Sequence, residues 1–193
     1  MSPVVIGLDP SLTAAGIAII AQHTTPTVRT IGSKGHRADV IALRSTRIVK
    51  QAAAVLACVD PASTLVVIEG PALGLNSPGV WDRAGLWWGI VAGCRARGVP
   101  VAVCAPQTRA KWATGSGRAD KAQVLAAMRA LWPGVTIRDD NQADAMVFAS
   151  MGAQMLGWDV PELDHQRACL AAVAWPQEVT ARSTSTTPTH TGR

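Results

Sequence analysis

Apolar positions along the chain change their spacing from segment to segment, and each spacing predicts an element. Val4–Leu8 and Ile17–Ile20 are β-branched apolar runs separated by polar, glycine-containing sequence, which predicts a hairpin. A third strand follows near Val28–Ile31. From about Ala38 to Cys58 apolar residues recur at steps of three and four (Val40, Ile41, Leu43, Ile48, Ala52, Val55, Leu56), which predicts a helix. Thr64–Ile68 is a continuous apolar run, too short for a helix and flanked by helical spacing, the pattern of a central parallel strand. Gly70–Gly79 contains three glycines and two prolines and reads as a loop. Helical spacing returns over Trp81–Arg97 and stops at Gly98-Val99-Pro100, and Val99–Cys104 is a further buried strand. Pro106–Trp112 and Lys121–Trp132 read as helices joined by Gly115-Ser116-Gly117. A last helix is expected from Asp140 or Asn141, both good N-cap residues, through Met155.

That order predicts a three-layer α/β fold, with a mixed five-stranded sheet and helices on both faces. With 193 residues, 48% of them apolar, the chain can bury one well-packed core. We assign that domain to residues 1–175. Residues 176–193 are expected to be a disordered tail, because Arg182–Arg193 is Ser/Thr-rich and almost devoid of apolar residues. No apolar stretch approaches the roughly 20 residues that span a bilayer, and the N-terminus carries no secretory pattern, so a cytoplasmic location is expected. Cys58, Cys94, Cys104 and Cys169 form no C-x-x-C pair and read as free thiols.

Charge adds a direction. The net charge is +5, and from Arg83 to Arg129 eight positive residues face a single acid, Asp120. A basic middle beside acidic clusters suggests a polyanion held near carboxylates, although a solvated arginine-rich surface would look the same. The acids are more specific. Asp9 and Glu69 each end an apolar strand, at the sheet edge where α/β proteins collect their sites. If the two strands are parallel neighbours, their ends lie about 5 Å apart. Two carboxylates that close repel, unless one takes up a proton or a hard divalent cation joins them. The segment DDNQADAM offers a third acid from a helix, Asp144, with Asp140 and Asn141 one turn earlier on the same face. Taken singly, Asp9 could cap a turn, Glu69 could pair with an arginine, and Asp140 could cap its helix.

Together, GLDPSLTAAG, IEG, GSGRADKAQV and NQADAMVFA resemble RuvC-type Holliday junction resolvases of the RNase H-like superfamily, in particular the short versions carried by phages and mobile elements. The resemblance runs from Val4 to Leu156. It implies an endonuclease that resolves four-way DNA junctions by paired symmetric nicks, in the host cytoplasm or at the nucleoid. It also implies two Mg²⁺ ions per site, with Mn²⁺ as a substitute. Asp9 would bridge the metals, and Glu69 and Asp144 would each hold one side. The family's fourth ligand position falls on Asn141 here, a departure, and the neighbouring Asp140 is the favoured substitute. Lys121 matches a lysine beside the scissile phosphate, and Arg109, Lys111 and Arg118 are candidate phosphate contacts. Where the family carries a wedging aromatic, this chain has Ala72 and Leu73, with Trp81 further along the loop. Trp87 and Trp88 read as core or dimer packing rather than base-stacking groups. Two symmetric scissile strands suggest a C2 homodimer, and the Trp-rich helix Trp81–Arg97 is a candidate for part of its interface. Three rivals stand beside this reading. One is a related nuclease acting on flaps, branched replication intermediates or RNA–DNA hybrids. Another is an ATP-binding protein of the actin and Hsp70 type, which would need a second domain and a second glycine-rich loop. The third is an inactive junction-binding module, for which Asn141 speaks.

Overall fold

The computed structural model describes residues 3–36, 38–71 and 79–184, the last three by backbone only. Five strands, β1 (Val4–Asp9), β2 (Ala15–Ala21), β3 (Thr27–Ile31), β4 (Leu65–Glu69) and β5 (Val101–Cys104), form one sheet in the order β3-β2-β1-β4-β5. β1 pairs antiparallel with β2 and parallel with β4, where Leu8 stands opposite Ile68. β5 continues the parallel half and β3 the antiparallel half. The hairpin and the central parallel strand therefore stand as the apolar runs predict.

Strand residues alternate between the two faces of this sheet, and the core divides accordingly. Val5, Leu65, Val67 and Ala102 belong to one buried cluster, and Ile6, Leu8, Val66 and Ile68 to the other. Over the second face lie α1 (Ile41–Leu56) and α2 (Val80–Ala96). Glycines at every fourth position of α2 let the two helices meet closely. Gly85, Gly89 and Gly93 lie against Ile48, Ala52 and Leu56 of α1. The first face carries α3 (Pro106–Thr114), α4 (Lys121–Leu131) and α5 (Asp140–Met155). Every residue of α5 from Gln142 to Gln154 is buried. The reason is glycine again. A Cβ on Gly7 would overlap the Ala145 carbonyl oxygen, and one on Gly16 the Asn141 carbonyl oxygen, so α5 rests directly on the backbones of β1 and β2.

Some expectations need correction. α1 begins at Ile41 rather than Ala38, and Val40, Ile41 and Leu43 are exposed, because the helix buries only the stripe Gln51, Ala52 and Val55. Beyond α5 the chain forms three elements that the periodicity does not show. These are α6 (Gln166–Cys169), a 3₁₀ turn (Leu170–Ala172) and α7 (Gln177–Thr184). Part of the segment assigned to a disordered tail is thus helical, and Val179 in α7 is buried against the core. Residues 185–193 lie outside the described residues, as do Ala72 and Leu73. All four cysteines are free. Among the described residues, no helix is long and apolar enough to cross a membrane.

Candidate active site

Strand alternation settles where the first two carboxylates point. Residues 5, 7 and 9 of β1 and 65, 67 and 69 of β4 share the face that α5 covers. Asp9 and Glu69 therefore end their parallel strands side by side, beneath α5. Asp144, in the second turn of α5, meets them there. Asp144 is 1% exposed and Asp9 is 7% exposed. The Glu69 backbone is anchored in turn, since Trp87 Nε1 donates to its carbonyl oxygen at 2.8 Å. Trp87 is half-buried as core packing, whereas Trp88, edge-on to it, is exposed.

The start of α5 is set from a distance. Asp139 is the N-cap, not Asp140 or Asn141, and its carboxylate accepts from the Gln142 amide at 2.8 Å. Three consecutive residues could cap this helix. Thr30 of β3 selects among them by donating to Asp139 Oδ2 at 2.9 Å. Gln142 closes the arrangement by donating to the Thr30 hydroxyl. With the cap at 139, Asp140 and Asp144 stand one turn apart on the same face. Asn141 marks the contact with β2, its carbonyl pressed against Gly16.

Two cations enter the cluster. Arg109 follows β5 by one turn of α3, and its side chain is only 11% exposed. Its Nη1 donates to Glu69 Oε1 at 2.9 Å and to Asp144 Oδ2 at 2.5 Å. Lys121 opens α4, whose start is fixed by a capping box between Asp120 and Gln123. Its Nζ donates to Asp140 Oδ2 at 2.5 Å. Lys111 and Arg118 stay on the surface. The structure thus gathers Asp9, Glu69, Asp144 and Arg109 into one buried site, with the Lys121–Asp140 pair at its margin.

Ionisation registers the crowding. Burial pushes the Asp9 carboxyl up to about 7, and the nearby Glu69 charge adds to this against the pull of Arg109 and Lys121. Burial likewise raises Asp144 to about 7, with Arg109 opposing and Asp9 adding. Glu69 is raised for the same first cause, held back by Arg109. Asp140 is lowered by its hydrogen bond from Lys121.

These oxygens suit a hard divalent cation. Asp144 Oδ1 is buried without a hydrogen-bond partner, which leaves an acceptor for one. Among the described residues, however, no three acids, histidines or cysteines are already drawn together tightly enough to hold an ion. Arg109 stands between two of the acids.

Residues 5–151 match the family model described as crossover junction endodeoxyribonuclease RuvC. The chain belongs to the RuvC family. Curated relatives named crossover junction endodeoxyribonuclease RuvC agree. The one from Erythrobacter litoralis is 29% identical over 79% of this chain and 93% of its own length. The one from Sphingopyxis alaskensis is 28% identical over 76% and 94%. The Thermus thermophilus RuvC structure superposes with a TM-score of 0.60 at 21% identity, covering 82% of this chain and 99% of that one. T. thermophilus RuvC in complex with Holliday junction substrate gives 0.56 at 19% identity, over 76% and 90%. At those identities the structural likeness is one of fold, and it confirms the RNase H-like architecture. Membership in RuvC makes the chain a DNA endonuclease and sets aside the ATP-binding alternative.

Proposed function

We propose that this chain resolves four-way DNA junctions by metal-dependent phosphodiester hydrolysis at the Asp9–Glu69–Asp144 cluster. The observation that carries the reading is the convergence of these three buried carboxylates from β1, β4 and α5 at one edge of the sheet. Asp9, Glu69 and Asp144 would hold divalent metal, on our reading two Mg²⁺ ions, which would supply an activated water and neutralise charge on the leaving 3′-oxygen. Asp140 is favoured over Asn141 as the fourth ligand because it carries a full negative charge. Lys121, pinned beside the cluster by Asp140, would stabilise negative charge developing on the scissile phosphate. Lys111 and Arg118, both exposed, would contact the DNA backbone. A homodimer would supply one site for each of the two symmetric strands.

The experiment is cleavage of a synthetic four-way junction with Mg²⁺, beside a flap, a duplex and an RNA–DNA hybrid, with Asp9→Asn as control. Paired symmetric nicks on the junction, lost in Asp9→Asn while binding persists, support the reading. Preferential cleavage of another substrate would keep the site and replace the junction. Asp140→Asn should impair cleavage and Asn141→Ala should not, and the reverse result would reassign the fourth ligand.

A further inference from the structure

The carboxylate cluster already contains a cation belonging to the chain. We propose that the Arg109 guanidinium is a resident counter-ion that divalent metal must displace from between Glu69 and Asp144. The inference rests on the reading of this cluster as a metal site, and it concerns what holds the cluster together before metal arrives.

Three features of Arg109 carry it. First, one nitrogen serves both acids. Nη1 donates to Glu69 Oε1 and to Asp144 Oδ2, so a single positive atom bridges carboxylates from two different elements. A metal ion held through those same two oxygens would need that space, so those two arrangements exclude one another. Second, the pairing is incomplete. An arginine built as a permanent buried partner usually engages a carboxylate with two parallel donors and leaves nothing unsatisfied. Here Arg109 Nε and Asp144 Oδ1 are both buried without a hydrogen-bond partner. The pair therefore neutralises charge without fully satisfying either group, and a better-coordinated cation can replace it. Third, exchange needs only a side chain to move. α3 is fixed by Pro106 at its start and by Trp112, which is fully buried and hydrogen-bonded to Gln154. The helix can stay in place while the long arginine side chain swings. Once displaced, the guanidinium would be a free donor at the edge of the carboxylate cluster.

A permanent structural bridge would behave differently. It would preserve the spacing of the ligands, and its loss would weaken metal binding. Displacement predicts the opposite sign. Mn²⁺ binding is to be measured by calorimetry on the full chain and on Arg109→Gln, together with thermal melts with and without the ion. Arg109→Gln should bind Mn²⁺ about tenfold more tightly than wild type. Its metal-free Tm should fall while its metal-saturated Tm stays close to that of wild type. Equal or weaker Mn²⁺ binding by a folded Arg109→Gln overturns the proposal. If neither protein binds Mn²⁺, the metal-site reading fails, and displacement fails with it. Wild type offers a test that needs no folded variant. The Arg109 Nε–Hε resonance should move towards that of solvent-exposed arginines as Mg²⁺ is added, and a resonance unmoved at saturating metal overturns the proposal.

Discussion

Asp9 and Asp144 are placed where ionising them is unfavourable, and this should show in the pH dependence of the metal-free protein. Both carboxyls are raised from an ordinary 3.8 to about 7, with burial as the leading cause. A carboxyl raised on folding binds its proton more tightly in the native state, so stability falls as pH rises between the unfolded and folded values. The metal-free protein should therefore lose stability from about pH 4 to about pH 7, and Mg²⁺ should restore it above that range. Asp9→Asn removes one of the two charges, so its metal-free Tm at pH 8 should exceed that of wild type even as cleavage is abolished. Thermal melts at pH 5 and pH 8 check this, and a wild-type Tm that rises with pH would contradict it. At the same scale, Asp139→Ala should cost about 1 kcal/mol, the usual loss on removing an N-cap, measured by denaturant unfolding. Asp9 and Glu69 were legible in the sequence because each ends an apolar strand, and Asp144 because it follows Asp140 by one helical turn in DDNQADAM. Asp139 was not, because it has two equally good capping neighbours and the choice belongs to Thr30, 109 residues away. In the sequence Arg109 reads only as a candidate phosphate contact, since a run of basic residues does not reveal which of them turns inward to pair with Glu69 and Asp144.

Between elements, the site depends on how closely α5 lies on the sheet. Gly7 and Gly16 place backbone against backbone under Ala145 and Asn141, and Asp144 sits between those two contacts. Gly16→Ala must push α5 outward at its first turns, and overpacking of this kind costs about 1–3 kcal/mol. It should also weaken Mn²⁺ binding by shifting Asp144 away from Asp9. Gly134→Ala, where an added Cβ meets nothing within 4 Å, should stay within about 0.5 kcal/mol of wild type. Denaturant titration and calorimetry on the two variants would separate the effects. Equal stability in both would show that α5 tolerates the added methyl. The hydrophobic period announced most elements correctly, yet it misplaced what α1 buries. Its apolar residues at 40, 41 and 43 fit a helix but do not reach the stripe at 51, 52 and 55. α6 and α7 escaped notice because they are short and largely polar. They are held by tertiary partners, such as the buried hydrogen bond from Gln154 to Gln166, that local spacing does not encode.

For the whole molecule, the outer layer of α1 and α2 carries several exposed large apolar side chains. Trp81 is 82% exposed, Ile41 76%, and Val49 and Trp88 64% each. The Arg44–Asp82 ion pair joins the first turns of the two helices, which brings Ile41 and Trp81 to the same end of the layer. Exposed aromatic and aliphatic side chains gathered on one layer are a common mark of an interface. If the chain acts on a junction with two equivalent strands, as proposed, a second copy is the occupant expected on this layer. Trp81→Glu combined with Trp88→Glu places two charges on that exposed surface, at the loss of the edge-on contact between Trp88 and Trp87. The double variant should sediment as a monomer where wild type sediments as a dimer, with an unchanged circular dichroism spectrum. On a junction it should make isolated single nicks instead of paired ones. The ratio of paired to single nicks is the sharper readout, since it responds to coupling between sites rather than to chemistry at either. A variant that still sediments as a dimer and still nicks in pairs would move the interface to another face, while one that dissociates yet keeps paired nicking would show that the junction itself assembles the two subunits.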